Sequence, residues 1–347
     1  MMIFEPVSVS RSETLYSAWP DVISVGGEHL LCIFTECRHH TDRRDSRIML
    51  CESPDGGYRW ENKRPFPGLQ ATDDGYCNCA RLSNLPDGRI CVSVDRIPWR
   101  GEGSGGDREA AVLLFFSNDG GKSWSEPVKT PLHGIVPGKL TVLDSGRWLL
   151  SAQYGYRGKL TQFLRCSDDE GKSWSRRITV AHSAKFDLCE GSLLPLGGGV
   201  VVALLREDSR LGLDCKKVIS RDDGESWGPI TDFPLPGCHR PVAGILNDGR
   251  VMITYRFAHG AGGFGKFTQN FFSAFTDRES LLRLNRKECA CRIVPVDYDR
   301  SPVADTGYSG WVQLPDGKVF IVNYIVDDAV DKGQIRGYHF DPRAIML

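Results

Sequence analysis

The feature that most constrains this 347-residue chain is a turn motif, Ser-x-Asp-x-Gly-x-x-Trp, that occurs four times. Its copies run from Ser53 to Trp60, Ser117 to Trp124, Ser167 to Trp174 and Ser220 to Trp227. They start roughly 50–65 residues apart, a period that signals a stack of repeated structural units. One further step falls on Ser273, where Phe275-Thr276-Asp277-Arg278 reads as a decayed fifth copy. The Asp carboxylate can accept backbone N–H groups within its own turn and the Gly supplies positive φ. Asp55, Asp119, Asp169 and Asp222 are therefore read as scaffold acids, not catalytic ones.

A second pattern alternates with the first. Leu85-Pro86-Asp87-Gly88-Arg89, Leu143-Asp144-Ser145-Gly146-Arg147, Leu246-Asn247-Asp248-Gly249-Arg250 and Leu314-Pro315-Asp316-Gly317-Lys318 each lie between two strand-like apolar runs, as do Leu196 to Gly199 and Val25 to Glu28. Asp-Gly and Gly-Gly are the residues that tight hairpins demand. Six hairpins and the interleaved acidic turns predict six units of four antiparallel strands, an all-β, six-bladed β-propeller whose closed ring protects its own edges. No helical period and no linker interrupts it, so residues 1–347 read as one domain. The runs Gln334 to Phe340 and Phe4 to Val9 are placed together in the last blade, closing the ring.

The composition, 41% hydrophobic and 25% charged, suits a chain that buries a large core. A net charge of −1 argues against nucleic-acid or membrane partners held by bulk charge, and no apolar run is long enough to span a bilayer. Residues Met1 to Pro6 lack a basic segment followed by an apolar run, so the chain reads as cytoplasmic, or as secreted if a leader was trimmed. The twelve cysteines, including Cys77/Cys79 and Cys289/Cys291 but no Cys-x-x-Cys, read as reduced thiols. No metal and no cofactor is expected. Oligomeric state is not legible.

In a propeller the innermost strands line a central channel, so equivalent strand ends converge on one face. Trp19-Pro20-Asp21, Asn78 to Arg81, Lys139, Glu190, His239-Arg240 and Gly307-Tyr308 precede the first strands. Arg38, Asp95-Arg96, Tyr154, Arg206, Arg256 and Tyr324 follow the second strands. Guanidinium groups gathered this way suit an anionic sugar, because they bind carboxylates in bidentate fashion. His39, His40 and His239 fall near the same face without metal-ligand spacing.

These residues resemble the sialidase (neuraminidase) family, whose acidic turns are called Asp-boxes. Glu190, followed by Leu193-Leu194-Pro195-Leu196 and by Arg206-Glu207-Asp208-Ser209, is similar to the segment with the catalytic Glu and an Arg of a carboxylate-binding triad. Gly307-Tyr308-Ser309 looks like the segment with the nucleophilic Tyr. Arg38 and Asp42, in Phe34 to Asp42, resemble the loop with another Arg and the acid/base Asp, a role for which Asp45 competes. The resemblance implies a retaining exo-glycoside hydrolase removing a terminal acidic sugar from a glycan or glycoconjugate. Asp42, Glu190 and Tyr308 would be catalytic; Arg38, Arg206, Arg240 and Arg256 would bind substrate. One departure is clear: Ala18 stands where the family has its first triad Arg. Arg240 is a candidate substitute for it, and Arg256 and Lys266 are both candidates for the third cation. A propeller glycosidase or lyase acting on a uronic acid or a rhamnose-containing glycan, or a non-catalytic glycan-binding propeller, are the alternatives.

Overall fold

The computed structural model describes residues 4–99, 108–258 and 268–347. Their strands form six antiparallel sheets, in residues 16–70, 75–133, 141–181, 188–236, 238–298 and 306–340, which are blades one to six of a β-propeller. Each blade has four strands, except that the innermost strand of blade two is split into Gly75–Cys77 and Arg81–Asn84, both paired with Ile90–Pro98. Blade six takes its outermost strand from the N-terminus: Glu5–Ser10 pairs antiparallel with Gln334–Phe340, as expected from the sequence. The ring is therefore closed by hydrogen bonds between the two ends of the chain.

The hairpins between first and second strands follow the predicted turns. Leu85 N–H donates to Arg89 O at 2.8 Å, Leu143 to Arg147 at 2.9 Å, Leu246 to Arg250 at 2.8 Å and Leu314 to Lys318 at 2.8 Å. The four Asp-boxes are nearly superimposable in their bonding. In the last, Ser220 Oγ donates to Asp222 Oδ1 at 2.8 Å and accepts from Gly224 N–H at 2.9 Å, while Asp222 Oδ1 accepts from Ser226 N–H at 2.9 Å. Ser53 stands opposite Leu30 at the hairpin end of its blade, so the boxes lie on the hairpin face of the ring.

The fifth copy differs from the expectation. Ser273 sits within the strand Gln269–Thr276 and faces Thr254; Thr276 occupies the register position that Ser220 holds in blade four. Asp277 then caps a short helix, Arg278–Leu282, by accepting from Ser280 N–H. Blade six ends similarly, with Asp341 capping the 3-10 turn Pro342–Ala344. The acidic residue persists in both blades as a cap on a helical turn instead of an Asp-box.

No single core fills the ring. Among the described residues, the buried apolar side chains gather in six clusters, one along each blade-to-blade seam. Val92 and Phe115 of blade two pack on Ile33 and Leu50 of blade one; Phe320, Val322 and Tyr324 of blade six pack on Phe34 and Met49. Asp-box glycines tighten these seams. A Cβ on Gly57 would lie 2.6 Å from the Phe320 ring, and one on Gly121 2.7 Å from Leu31. The turns at Gly57, Gly121 and Gly224 thus press their backbone against the preceding blade, Gly57 across the closure, while Gly171 lies against Trp148 of its own blade.

Ser220→Ala leaves the buried Gly224 N–H without its partner, so it should cost about 1–3 kcal/mol. Urea denaturation would measure this, with the midpoint falling at unchanged slope.

Candidate active site

The innermost strands are not regular where they reach the open face. In four of them the register with the second strand slips: between Ala18 and Asp21, Cys189 and Ser192, His239 and Val242, and Gly307 and Gly310. The residue at each bulge has positive φ: Trp19 (56°), Glu190 (50°), Arg240 (48°) and Tyr308 (51°), joined in blade three by Val136 (51°). Such backbone costs of order 1–3 kcal/mol per residue, comparable to the gain from burying one Leu or Phe, so the seams readily offset it. The bulge re-aims the side chain out of the strand alternation. Gly307 has a further role, since a Cβ there would meet Arg256 Cβ at 2.4 Å.

Trp19, Val136, Glu190 and Tyr308 border a cavity of about 330 Å³ whose walls also include His40, Arg43, Gln153, Arg206, Asp208 and Arg256, whereas Arg240 lines a separate cavity. Glu190 is its centre. Glu190 Oε1 accepts the Tyr308 hydroxyl and Arg206 Nη1, the latter at 2.9 Å; Oε2 has no partner among the described residues, and Gln153 Oε1 accepts the Glu190 N–H. Arg206 Nη2 reaches Asp208 at 2.7 Å. The Arg240 and Arg256 guanidiniums lie 5.6 and 5.5 Å from the Tyr308 ring centre. Burial alone would push the Glu190 carboxyl up, but Arg206, Arg256 and Arg240 outweigh it and hold it below the usual carboxylate value. Burial, reinforced by the Glu190 charge, pushes the Tyr308 phenol well up. The resting pair is therefore a neutral phenol donating to a carboxylate. Burial, with Arg206 and Arg256, also pushes His239 down; it stays neutral, and its Nδ1 accepts from Arg256 Nη2 at 3.2 Å.

A second acid lies behind the cavity. Asp305, fully buried, accepts from Tyr16 OH at 2.5 Å, Tyr324 OH at 2.9 Å and His40 Nδ1, with Arg256 Nη1 at 3.7 Å. Burial would raise its pKa; His40 and Arg256 outweigh that and lower it.

Glu190, Arg206, Arg256 and Tyr308 are brought together, and Arg240 stands against the Tyr308 ring. Arg38 and Asp42 are not. Arg38 pairs with Asp45, and both are more than half exposed. Asp42 faces Arg44, accepting from Nε at 2.9 Å and Nη2 at 2.6 Å, and these bonds hold it down to about 2. Ala18 is buried, and the bulge of blade one presents Trp19, over whose ring the Arg43 guanidinium lies at 3.7 Å. Lys139 lines a separate cavity of about 270 Å³ toward the hairpin face and bonds Asp21 at 3.0 Å. Lys266 lies outside the described residues. Gln153, one residue before the expected Tyr154, faces Ile135 across the inner hairpin of blade three. Asp305 was legible only as an acid three residues before Tyr308, and Arg43 only as part of a charged run.

A six-bladed ring with four Asp-boxes and a charged axial hollow defines a sialidase-like propeller. The chain belongs to the BNR repeat-like domain family, whose model matches residues 80–321. Its fold is similar to that of a protein of unknown function from Dyadobacter fermentans (TM-score 0.78, 21% identity, 98% of this chain and 99% of that one). It is also similar to the intramolecular trans-sialidase from Ruminococcus gnavus (0.67, 11%, 96% of both chains) and to an α-L-arabinofuranosidase from Fusarium graminearum (0.68, 13%, 100% of both). At these identities the likeness is one of fold. Comparison with curated proteins finds no match.

Asp95 staples the rim, accepting Asn78 N–H at 3.1 Å and Val136 N–H at 2.7 Å, and burial raises its pKa from 3.8 to about 6. The folded protein thus holds this proton more tightly than the unfolded chain does. The resulting stabilisation is complete below about pH 4 and is lost as pH rises through about 6, on the order of 2–3 kcal/mol. Thermal melts across this range should show a flatter pH dependence for Asp95→Asn than for wild type.

Proposed function

We propose that this protein is a retaining exo-glycoside hydrolase that removes a terminal acidic sugar, sialic acid or a related 2-keto acid, with Tyr308 as nucleophile and Glu190 as its base. The observation that carries this reading is the buried hydrogen bond from the Tyr308 hydroxyl to the Glu190 carboxylate, amid Arg206, Arg240 and Arg256. A 2-keto acid sugar bears a carboxylate on its anomeric carbon, which repels a carboxylate nucleophile. A neutral phenol approaches without that repulsion, and sialidases with a Tyr nucleophile are a known exception to the two-carboxylate scheme. Glu190, held anionic by its arginines, takes the phenol proton as the oxygen attacks. Arg206 and Arg256 on the wall would fix the sugar carboxylate and so the approach geometry. The R. gnavus trans-sialidase, similar in fold, was crystallised with oseltamivir carboxylate, which accords with an anionic ligand in such a hollow.

One observation favours a second substrate class. With Ala18 buried and Arg38 turned to Asp45, Arg206 and Arg256 beside Glu190 and Tyr308, with Arg43 stacked on Trp19, line the cavity in place of the triad that the resemblance implies. A uronic acid, a rhamnose-type sugar or an arabinofuranoside would need less, and an α-L-arabinofuranosidase shares the fold.

Tyr308→Phe should lower kcat/KM by at least about 10³-fold, the order expected when an essential catalytic group is removed, with the melting temperature nearly unchanged. Wild-type turnover by this variant would end the nucleophile assignment. A panel of aryl glycosides of sialic acid, its deaminated analogue, glucuronic acid, rhamnose and arabinofuranose separates the two substrate classes.

A further inference from the structure

We infer that His40, oriented by Asp305, is the general acid/base of this site, the group that protonates the departing glycosidic oxygen. The inference rests on the glycosidase reading above. Asp42, the residue suggested by family resemblance, has both oxygens on Arg44, is held deprotonated down to about pH 2 and lies outside the cavity wall. An acid in that state has no proton to give near neutrality.

His40 is two residues earlier in the same loop, and its ring forms part of the wall that Glu190 and Tyr308 share. Its Nδ1 faces Asp305 Oδ2. Buried between His40, Tyr16 and Tyr324, the Asp305 carboxylate selects the tautomer with the proton on Nδ1 and fixes the ring's orientation, as the acid does in a Ser-His-Asp triad. Nε2 is then the nitrogen that exchanges a proton with substrate. The ring is held from two further sides: Tyr16 at 6.0 Å and Trp19 at 5.2 Å between centroids, with the Arg43 guanidinium 3.7 Å over the Trp19 ring. The charged and titratable groups around the dyad are Tyr16, Tyr324, Arg256, Arg43, Asp299, which accepts from Asp305 N–H at 2.9 Å, and the neighbouring His39–Asp331 pair at 2.9 Å.

The proton balance is complete. As the Tyr308 oxygen bonds the anomeric carbon, the glycosidic C–O bond breaks, its electron pair stays on the leaving oxygen, and the His40 Nε2 proton converts that oxygen to an alcohol. The neutral imidazole then takes a proton from the water that attacks the tyrosyl-linked sugar. The Tyr308 oxygen leaves and recovers its proton from Glu190.

Leaving-group dependence tests this directly. For a substrate whose leaving group is a sugar or alkyl alcohol, His40→Ala and His40→Gln should lose about 10²–10⁴-fold in kcat/KM. With a 4-nitrophenyl glycoside, whose leaving group departs without a proton, the loss should be less than about tenfold. Equal losses on both substrates would mean that His40 only supports structure, and would overturn the assignment. Asp305→Asn removes the charge facing the imidazole, so the alkaline limb of kcat/KM should move to lower pH by about one unit or more; an unmoved limb would also overturn it. Nitrogen NMR of the His40 ring supplies a readout without turnover. A proton on Nδ1, and a titration that moves to lower pH in Asp305→Asn, are expected; Nδ1 without its proton refutes the dyad. If wild type cleaves no glycoside, the function proposed above fails, while the NMR result still judges the dyad by itself.

Discussion

Everything in this molecule depends on where its apolar side chains pack: between blades and not on the axis. Each seam is a layer of Val, Leu, Ile and Phe shared by two neighbouring sheets. Six such seams arranged in a circle bury the hydrophobic surface and leave the centre lined by the polar ends of the inner strands. A channel that contributes little to stability can hold groups that a core would exclude. Glu190, Arg206, Arg240, Arg256 and Asp305 are all nearly or fully buried, and each would be costly alone. They survive because they face one another, and because the seams supply the stabilisation.

The bulges convert this scaffold into a site. A regular inner strand would alternate its side chains between the two seams it borders. A left-handed residue at the open end breaks that alternation and turns one side chain inward. Trp19, Val136, Glu190, Arg240 and Tyr308 all use this device, and Val, being β-branched, is the least suited of them to it. Its presence in blade three shows that the device belongs to the blade geometry as well as to chemistry. Where blade two lacks a left-handed bulge residue, the strand is interrupted, and Asp95 accepts from Asn78 N–H in the gap and from Val136 N–H at the entry to blade three.

The contrast between what was legible in the sequence and what was not follows from the same physics. Asp-boxes and Gly-containing hairpins are local: each turn satisfies its own hydrogen bonds within a few residues, so the motif carries its structure with it. Six blades, the closing strand and the convergence of Glu190, Arg206, Arg256 and Tyr308 could all be inferred from such repeats. The fifth box was misplaced by three residues because helix capping at Asp277 replaced the box chemistry that fixes the register. The loop from Arg38 to Asp45 follows no repeat. Its side chains are placed by partners far away in sequence, such as His40 by Asp305, or by immediate neighbours, such as Asp42 by Arg44. Spacing within the loop cannot distinguish these outcomes.

Closure and chemistry are therefore linked. The bond between Tyr308 and Glu190 joins blades six and four, and that between His40 and Asp305 joins blade one to blade six. The second crosses the seam where the ring ends meet, the one held by Glu5–Ser10 on the last sheet and by Gly57 against Phe320. Small slippage at another seam would be shared among rigid neighbours. Slippage at this one would separate His40 from its carboxylate while leaving Tyr308 on Glu190. The two halves of the proposed reaction, nucleophilic attack and proton delivery, thus depend on different parts of the ring, and the proton-delivery half rests on the one seam that the chain must close with its two ends.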